Sequence, residues 1–108
     1  LELNVKAEPA ADAWAMDPHS SQNRWAFAAA EKALEKSFGH PVVYIGCGGS
    51  IPFIDPFAKA FEAPVITLGV EDPYALAHSE NESVHIGDLY KIIEGEIYLF
   101  EEIANAKR

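Results

Sequence analysis

Six consecutive residues, Ala77-His78-Ser79-Glu80-Asn81-Glu82, set one imidazole beside two carboxylates and two neutral hydrogen-bonding side chains. A neutral imidazole is a good zinc ligand, and a nearby carboxylate can fix its tautomer through the other ring nitrogen. Upstream, Gly46-Cys47-Gly48-Gly49-Ser50-Ile51-Pro52 offers small residues, one thiol and one hydroxyl. The backbone N–H groups of such a turn, ahead of a helix, can cradle a phosphate or a carboxylate, with the Ser50 hydroxyl as a further donor. Spacing leaves both stretches open to plainer readings. His78 lacks the second histidine of a helical zinc site, and no lysine follows the glycines as in a phosphate loop. His78 is therefore either a surface loop residue or one ligand of a metal completed from elsewhere. The glycines are either an anion cradle or the residues a tight turn needs.

Apolar periodicity predicts the elements that hold these stretches. Leu1, Leu3 and Val5 alternate with polar residues, the period of a half-buried strand. Residues 7–21 read as a linker in which Trp14 and Met16 are the large apolar anchors. Arg24 to Phe38 reads as a helix with Phe27, Ala30, Leu34 and Phe38 in one stripe; Ser20, Ser21 or Asn23 can cap it, and Gly39 sits where a left-handed terminator belongs. Pro41 to Ile45 and Val65 to Gly69 are apolar without alternation, as expected of strands covered on both faces of a parallel α/β sheet. Between them, Asp55-Pro56 reads as the start of a short helix through Phe57, Ala60 and Phe61 that stops before Pro64.

Strand, helix and strand make a βαβ unit, and the expected fold class is α/β. Ligands of open α/β sheets gather at the carboxyl ends of the strands, which places Ser50 and His78 on one edge. Residues 70–84 form a loop long enough to suggest a function. A last helix, from about Ile86 to Ala104, is expected to bury Ile86, Leu89, Tyr90, Ile93, Ile97, Phe100 and Ala104, with close packing at Gly95.

The 108 residues fit one small domain, and a hydrophobic content of 49% suits a globular chain. A net charge of −9 argues against nucleic acid or an anionic membrane as partner. The densest acidic cluster, Glu80, Glu82, Asp88, Glu94, Glu96, Glu101 and Glu102, reads as a solvated face. Cys47 is the sole cysteine, so neither an intrachain disulfide nor a multi-cysteine metal site is available, and it reads as a small hydrophobe rather than a nucleophile. His19, His40 and His85 receive no role. No apolar run approaches the ~18 residues of a spanning helix. The first residues look like a strand entered partway, as in a fragment or processed product.

Gly48-Gly49-Ser50-Ile51-Pro52, Pro64-Val65-Ile66, Gly69 and Ala77-His78-Ser79-Glu80-Asn81-Glu82, followed by a closing helix, resemble the C-terminal end of the carnosinase and aminoacylase family. These dinuclear zinc peptidases include carboxypeptidases, dipeptidases and desuccinylases, and the similarity covers roughly Asp17 to Ile103. The resemblance implies a phosphorylase/hydrolase-like zinc peptidase fold. Residues 1–6 would be the last strand of a lid domain that also dimerises, 7–21 the hinge, and 22–108 the C-terminal half of the catalytic domain. It implies His78 as a zinc ligand, and Gly49 and Ser50 in the substrate pocket. Many members carry an arginine and a glutamate just before the glycines, where this chain has Gly46 and Cys47.

The same resemblance implies that the remaining ligands and the glutamate general base lie outside these residues. No catalytic residue is therefore expected within this chain. The parent would be a cytoplasmic homodimer with two zinc ions, or other divalent metals that an imidazole and carboxylates also suit, hydrolysing the amide bond of a dipeptide or N-acyl amino acid. The isolated chain would be inactive, and neighbours lost from a larger fold would leave apolar surface prone to self-association. The competing reading is a stand-alone module that binds a small anion or dimerises without metal.

Overall fold

Alanine dictates the centre of this molecule. The computed structural model describes residues 3–4, 14–46 and 51–106. Among these it forms three helices: α1 (Arg24–Phe38), α2 (Ile54–Phe61) and α3 (Ile86–Asn105). In α1, Ala26, Ala29, Ala30 and Ala33 are buried, giving a smooth surface of strong helix formers. Against it lies Leu99 of α3, with Ile66, Leu68, Tyr98 and Ile103 packed around the cluster.

Both helices come very close at Gly95, which is buried; a Cβ there would stand 2.8 Å from Ser37 Oγ and 3.3 Å from Leu34 Cδ2. The close packing expected of this glycine is found. Lys36 Nζ lies 3.6 Å above the Tyr98 ring, and Lys32 Nζ pairs with Glu102 Oε2 at 3.7 Å, so polar contacts also join the two helices.

The helix ends follow local chemistry. Gly39 terminates α1 at φ 76°, its N–H donating to the Glu35 carbonyl at 2.9 Å. Asn23 occupies the N-cap position without capping through its side chain; its Nδ2 instead donates to the Asp17 carbonyl at 2.9 Å, while Ser20 Oγ accepts from the Asn23 N–H at 3.3 Å. The short helix begins earlier than Asp55-Pro56 predicts, with Phe53 at its N-cap position. Asp55 then falls inside the first turn, where its carboxylate meets Lys59 Nζ at 2.6 Å. Pro56 is tolerated there because a first-turn N–H needs no helical acceptor.

The expected α/β fold class is overturned: no strand and no sheet occur among the described residues, so the βαβ unit is absent. Residues 41–46 and 64–70 form no regular secondary structure. The Val42 N–H donates to Glu35 Oε1 at 3.2 Å and the Val65 N–H to Met16 Sδ at 3.3 Å, so side chains take bonds a neighbouring strand would have supplied. Val43 and Ile45 stand exposed, whereas Ile66 and Leu68 rest on the α1–α3 core. An unbroken apolar run records fitness for burial; it does not supply the partner strand.

Two further expectations change. The stripe assigned to the buried side of α3 faces solvent instead, with Ile86, Tyr90, Ile93, Ile97, Phe100 and Ala104 all exposed and only Leu89 half-buried. Of the first strand, Leu3 and Asn4 are exposed and unpaired; the rest, like residues 7–13 of the linker, lies outside the described residues. Met16 does tie the linker's end to the body through Val65. No helix among the described residues is long and apolar enough to cross a membrane.

Candidate functional site

The connection between Leu68 and α3 is built from tight turns, and its side chains follow from them. The Ala75 N–H donates to the Asp72 carbonyl at 3.0 Å, and the Tyr74 N–H to Asp72 Oδ1 at 2.7 Å, an aspartate turn of the usual kind. Ala75 is buried and anchors the loop; its carbonyl also accepts from the Ser83 N–H at 2.9 Å, pulling residues 76–82 into a closed excursion. Within that excursion the Ser79 N–H donates to the Leu76 carbonyl at 3.0 Å.

Such tight closure needs left-handed backbone. Leu76, His78 and Asn81 adopt φ of 55°, 62° and 60°. Asparagine tolerates this region; leucine and histidine do so at a cost of about 1–2 kcal/mol each. Non-glycine residues held this way cluster at functional sites more often than elsewhere. His78 is exposed, and its imidazole makes no hydrogen bond or ion pair with any described residue. Glu80 and Glu82 are exposed as well. Neither carboxylate is bonded to the ring, so the tautomer control that the sequence suggested is not formed.

A second histidine, given no role from sequence, is the better organised. His85 is the N-cap residue of α3, and its Nδ1 accepts from the Asp88 N–H at 3.3 Å. The same Nδ1 lies 3.0 Å from Asp88 Oδ2, and Asp88 Oδ1 is 3.9 Å from Lys91 Nζ. Neutral, the ring caps the helix; protonated, it pairs with the carboxylate. The signal was present as a histidine and an aspartate three residues apart at the start of a helix. Both line an open cleft of about 500 Å³ with Asp72, Tyr74 and Ser83, and His78 is not among its lining residues.

Gly49 and Ser50 lie outside the described residues, as do Cys47 and Gly48. Among the described residues there is no sheet edge to bring Ser50 and His78 together. A catalytic zinc site takes three protein ligands. Among the described residues no group of three or more histidine, cysteine, aspartate or glutamate side chains converges, so here His78 can contribute one ligand and no more. Of the acidic cluster, Glu80, Glu82, Glu94, Glu96 and Glu101 are exposed, in keeping with a solvated face.

No protein-family model, no curated protein and no solved structure matches this chain.

Proposed function

We propose that the chain is the C-terminal part of a zinc-dependent peptidase or amidohydrolase of the carnosinase and aminoacylase type, acting on a dipeptide or an N-acyl amino acid. The observation that carries this reading is the Ala77–Glu82 segment itself: the resembling motif occupies a closed, left-handed turn that leaves His78 exposed and without a partner among the described residues. A metal ligand needs a ring nitrogen free of other partners, and among the described residues the His78 ring has none.

Two zinc ions bound in the intact site would activate a water molecule and polarise the scissile amide. His78 would supply one imidazole to one of them. Gly49 and Ser50 would hold the carboxylate-bearing end of the substrate through a backbone N–H and a hydroxyl, a positioning role. The other ligands and the general base come from the rest of the protein, which would be a cytoplasmic homodimer. The wide apolar exposure of this chain, from Val43 and Ile45 to Phe57 and Phe61, supports its being one piece of a larger fold.

The test is metal content together with hydrolysis in the intact protein. His78→Ala is expected to lower zinc affinity and activity by about 10–100-fold or more, and Ser50→Ala to raise KM more than it lowers kcat. Retention of full zinc content and full activity by His78→Ala would sink the reading. The isolated 108-residue chain is expected to hydrolyse no amide, since one ligand does not hold a catalytic zinc.

A further inference from the structure

Helix α3 carries two apolar faces, and among the described residues only one is packed. Gly95, Leu99 and Ile103 meet α1 and its surroundings. On the other side Ile86, Tyr90, Ile93, Ile97, Phe100 and Ala104 recur at alternating steps of four and three residues. That alternation, held along the whole helix, is the seam of a coiled coil. Its large members stay 47% to 69% exposed. A stripe of this four-three period matches one partner helix laid alongside.

The seam's borders say which helix. In the heptad register that puts Tyr90, Ile97 and Ala104 at a and Ile86, Ile93 and Phe100 at d, Glu94 and Glu101 fall at e and Glu96 at g, the remaining e and g positions being Gly87, Leu89 and Ile103. All three glutamates are exposed. Glu94 is held in place on its border, its Oε1 accepting from the Tyr98 hydroxyl at 2.5 Å. The single lysine of α3, Lys91, is directed elsewhere, 3.9 Å from Asp88 Oδ1 and 5.5 Å from the centre of the Phe38 ring.

A second copy laid on this seam would set glutamate against glutamate, g against e when parallel and e against e when antiparallel. Such pairs select against self-association. The self-association expected of any exposed apolar face therefore meets an electrostatic obstacle here. A helix with lysine or arginine at its own e and g positions meets the opposite situation.

We propose that the outer face of α3 is a docking surface for an amphipathic partner helix with an apolar a/d seam and basic flanks. The inference stands apart from the zinc-peptidase reading, since helix binding and zinc binding are separately measured and either can fail alone.

The experiment uses the full 108-residue chain and fluorescence anisotropy with synthetic helices of about three heptads. Three share one leucine-isoleucine seam and carry lysine, glutamine or glutamate at e and g. A fourth keeps the lysines and scrambles the seam. The lysine-flanked helix is expected to bind about tenfold or more tighter than the glutamine-flanked one, with added salt narrowing the gap, and the glutamate-flanked and scrambled helices to fail.

Glu94→Lys with Glu101→Lys should transfer the preference to the glutamate-flanked helix, and Ile93→Asp with Ile97→Asp should abolish binding without loss of helix signal. Equal binding of the lysine and glutamine helices would overturn the proposal. So would binding of the scrambled lysine helix, which would mark bare attraction to an acidic chain. Sedimentation showing a dimer at neutral pH that Ile93→Asp and Ile97→Asp disperse would assign the seam to a second copy instead. Should the aspartate variants unfold, the charge reversal still decides.

Discussion

Gly95 of α3 lies so close to Ser37 of α1 that a single added carbon would stand 2.8 Å from the serine Oγ. The helix around Gly95 would gain about 1 kcal/mol from an alanine in its place, yet the neighbouring helix leaves no room. Ser37 Oγ is itself engaged, donating to the Leu34 carbonyl at 3.2 Å, so turning it aside loses that bond. In Gly95→Ala the two effects are expected to cancel to within about 1 kcal/mol, because a hydroxyl can rotate. Gly95→Leu forces the helices apart and should cost about 1–3 kcal/mol. Urea unfolding of the two variants checks both; a stabilised Gly95→Leu would show that the helices do not meet there.

Leu99 and Phe100 are neighbours with opposite fates. Leu99 is buried against Ala29, Ala30 and Ala33, while Phe100 is 68% exposed. Leu99→Ala is expected to cost about 2–3 kcal/mol, and Phe100→Ala about 0.5 kcal/mol or less. Reversal of that order in chemical denaturation would turn α3 around and restore the face that its apolar spacing suggested.

Why spacing misled at Phe100 is instructive. Helices α1 and α3 were readable at nearly their true bounds, because alanine and leucine content, Gly39 and the polar run before Arg24 all act locally. Which side of α3 is buried depends on what lies alongside, and both sides are apolar enough. The inward side hides its strength in Gly95, a residue without hydrophobic side chain that works by permitting approach. Residues 41–45 and 65–69 misled for a related reason, since β-rich composition cannot report whether a partner strand is there. The turn around His78 was visible as a polar loop, but its left-handed residues were not: Leu76 is a poor candidate for that backbone.

That turn yields a separable prediction. At φ 62° a glycine is unstrained, so His78→Gly is expected to keep or raise stability by up to about 1 kcal/mol even as it removes the proposed ligand. A β-branched residue suffers more there, and His78→Val should cost about 1–2 kcal/mol. Thermal melts of the two variants measured side by side test this; equal melting would mean the turn relaxes freely.

Tyr44 contributes to the alkaline limit. Its hydroxyl donates to Glu31 Oε1 at 2.6 Å, with the ring edge-on to His19 at 5.4 Å between centroids. Desolvation, then the hydrogen bond to Glu31 and the charge of that carboxylate, push its pKa from 10.0 up to about 12, against a smaller opposing influence of Arg24. The folded chain therefore holds this proton more tightly than the unfolded chain. Its contribution to stability is intact below pH 10 and fades as the pH rises toward 12. Tyr44→Phe should flatten that part of the stability profile, and an unchanged alkaline slope in denaturant titrations would exclude Tyr44 as its source.

The alanine face of α1 and Leu99 of α3 also set how this molecule must assemble. They stand at opposite ends of the described chain, with residues 39–85 strung between the two helices. The core cannot form until that span closes into a loop, so folding is expected to be limited by an encounter between distant segments rather than by helix formation. Closure entropy grows only logarithmically, with each doubling of loop length adding about 0.6 kcal/mol. The exposed parts of the intervening stretch can therefore be lengthened at little thermodynamic expense, provided Ile54, Ile66, Leu68 and Ala75 keep their packing. A chain made this way separates most of the residues that hold it together from those that would carry its chemistry.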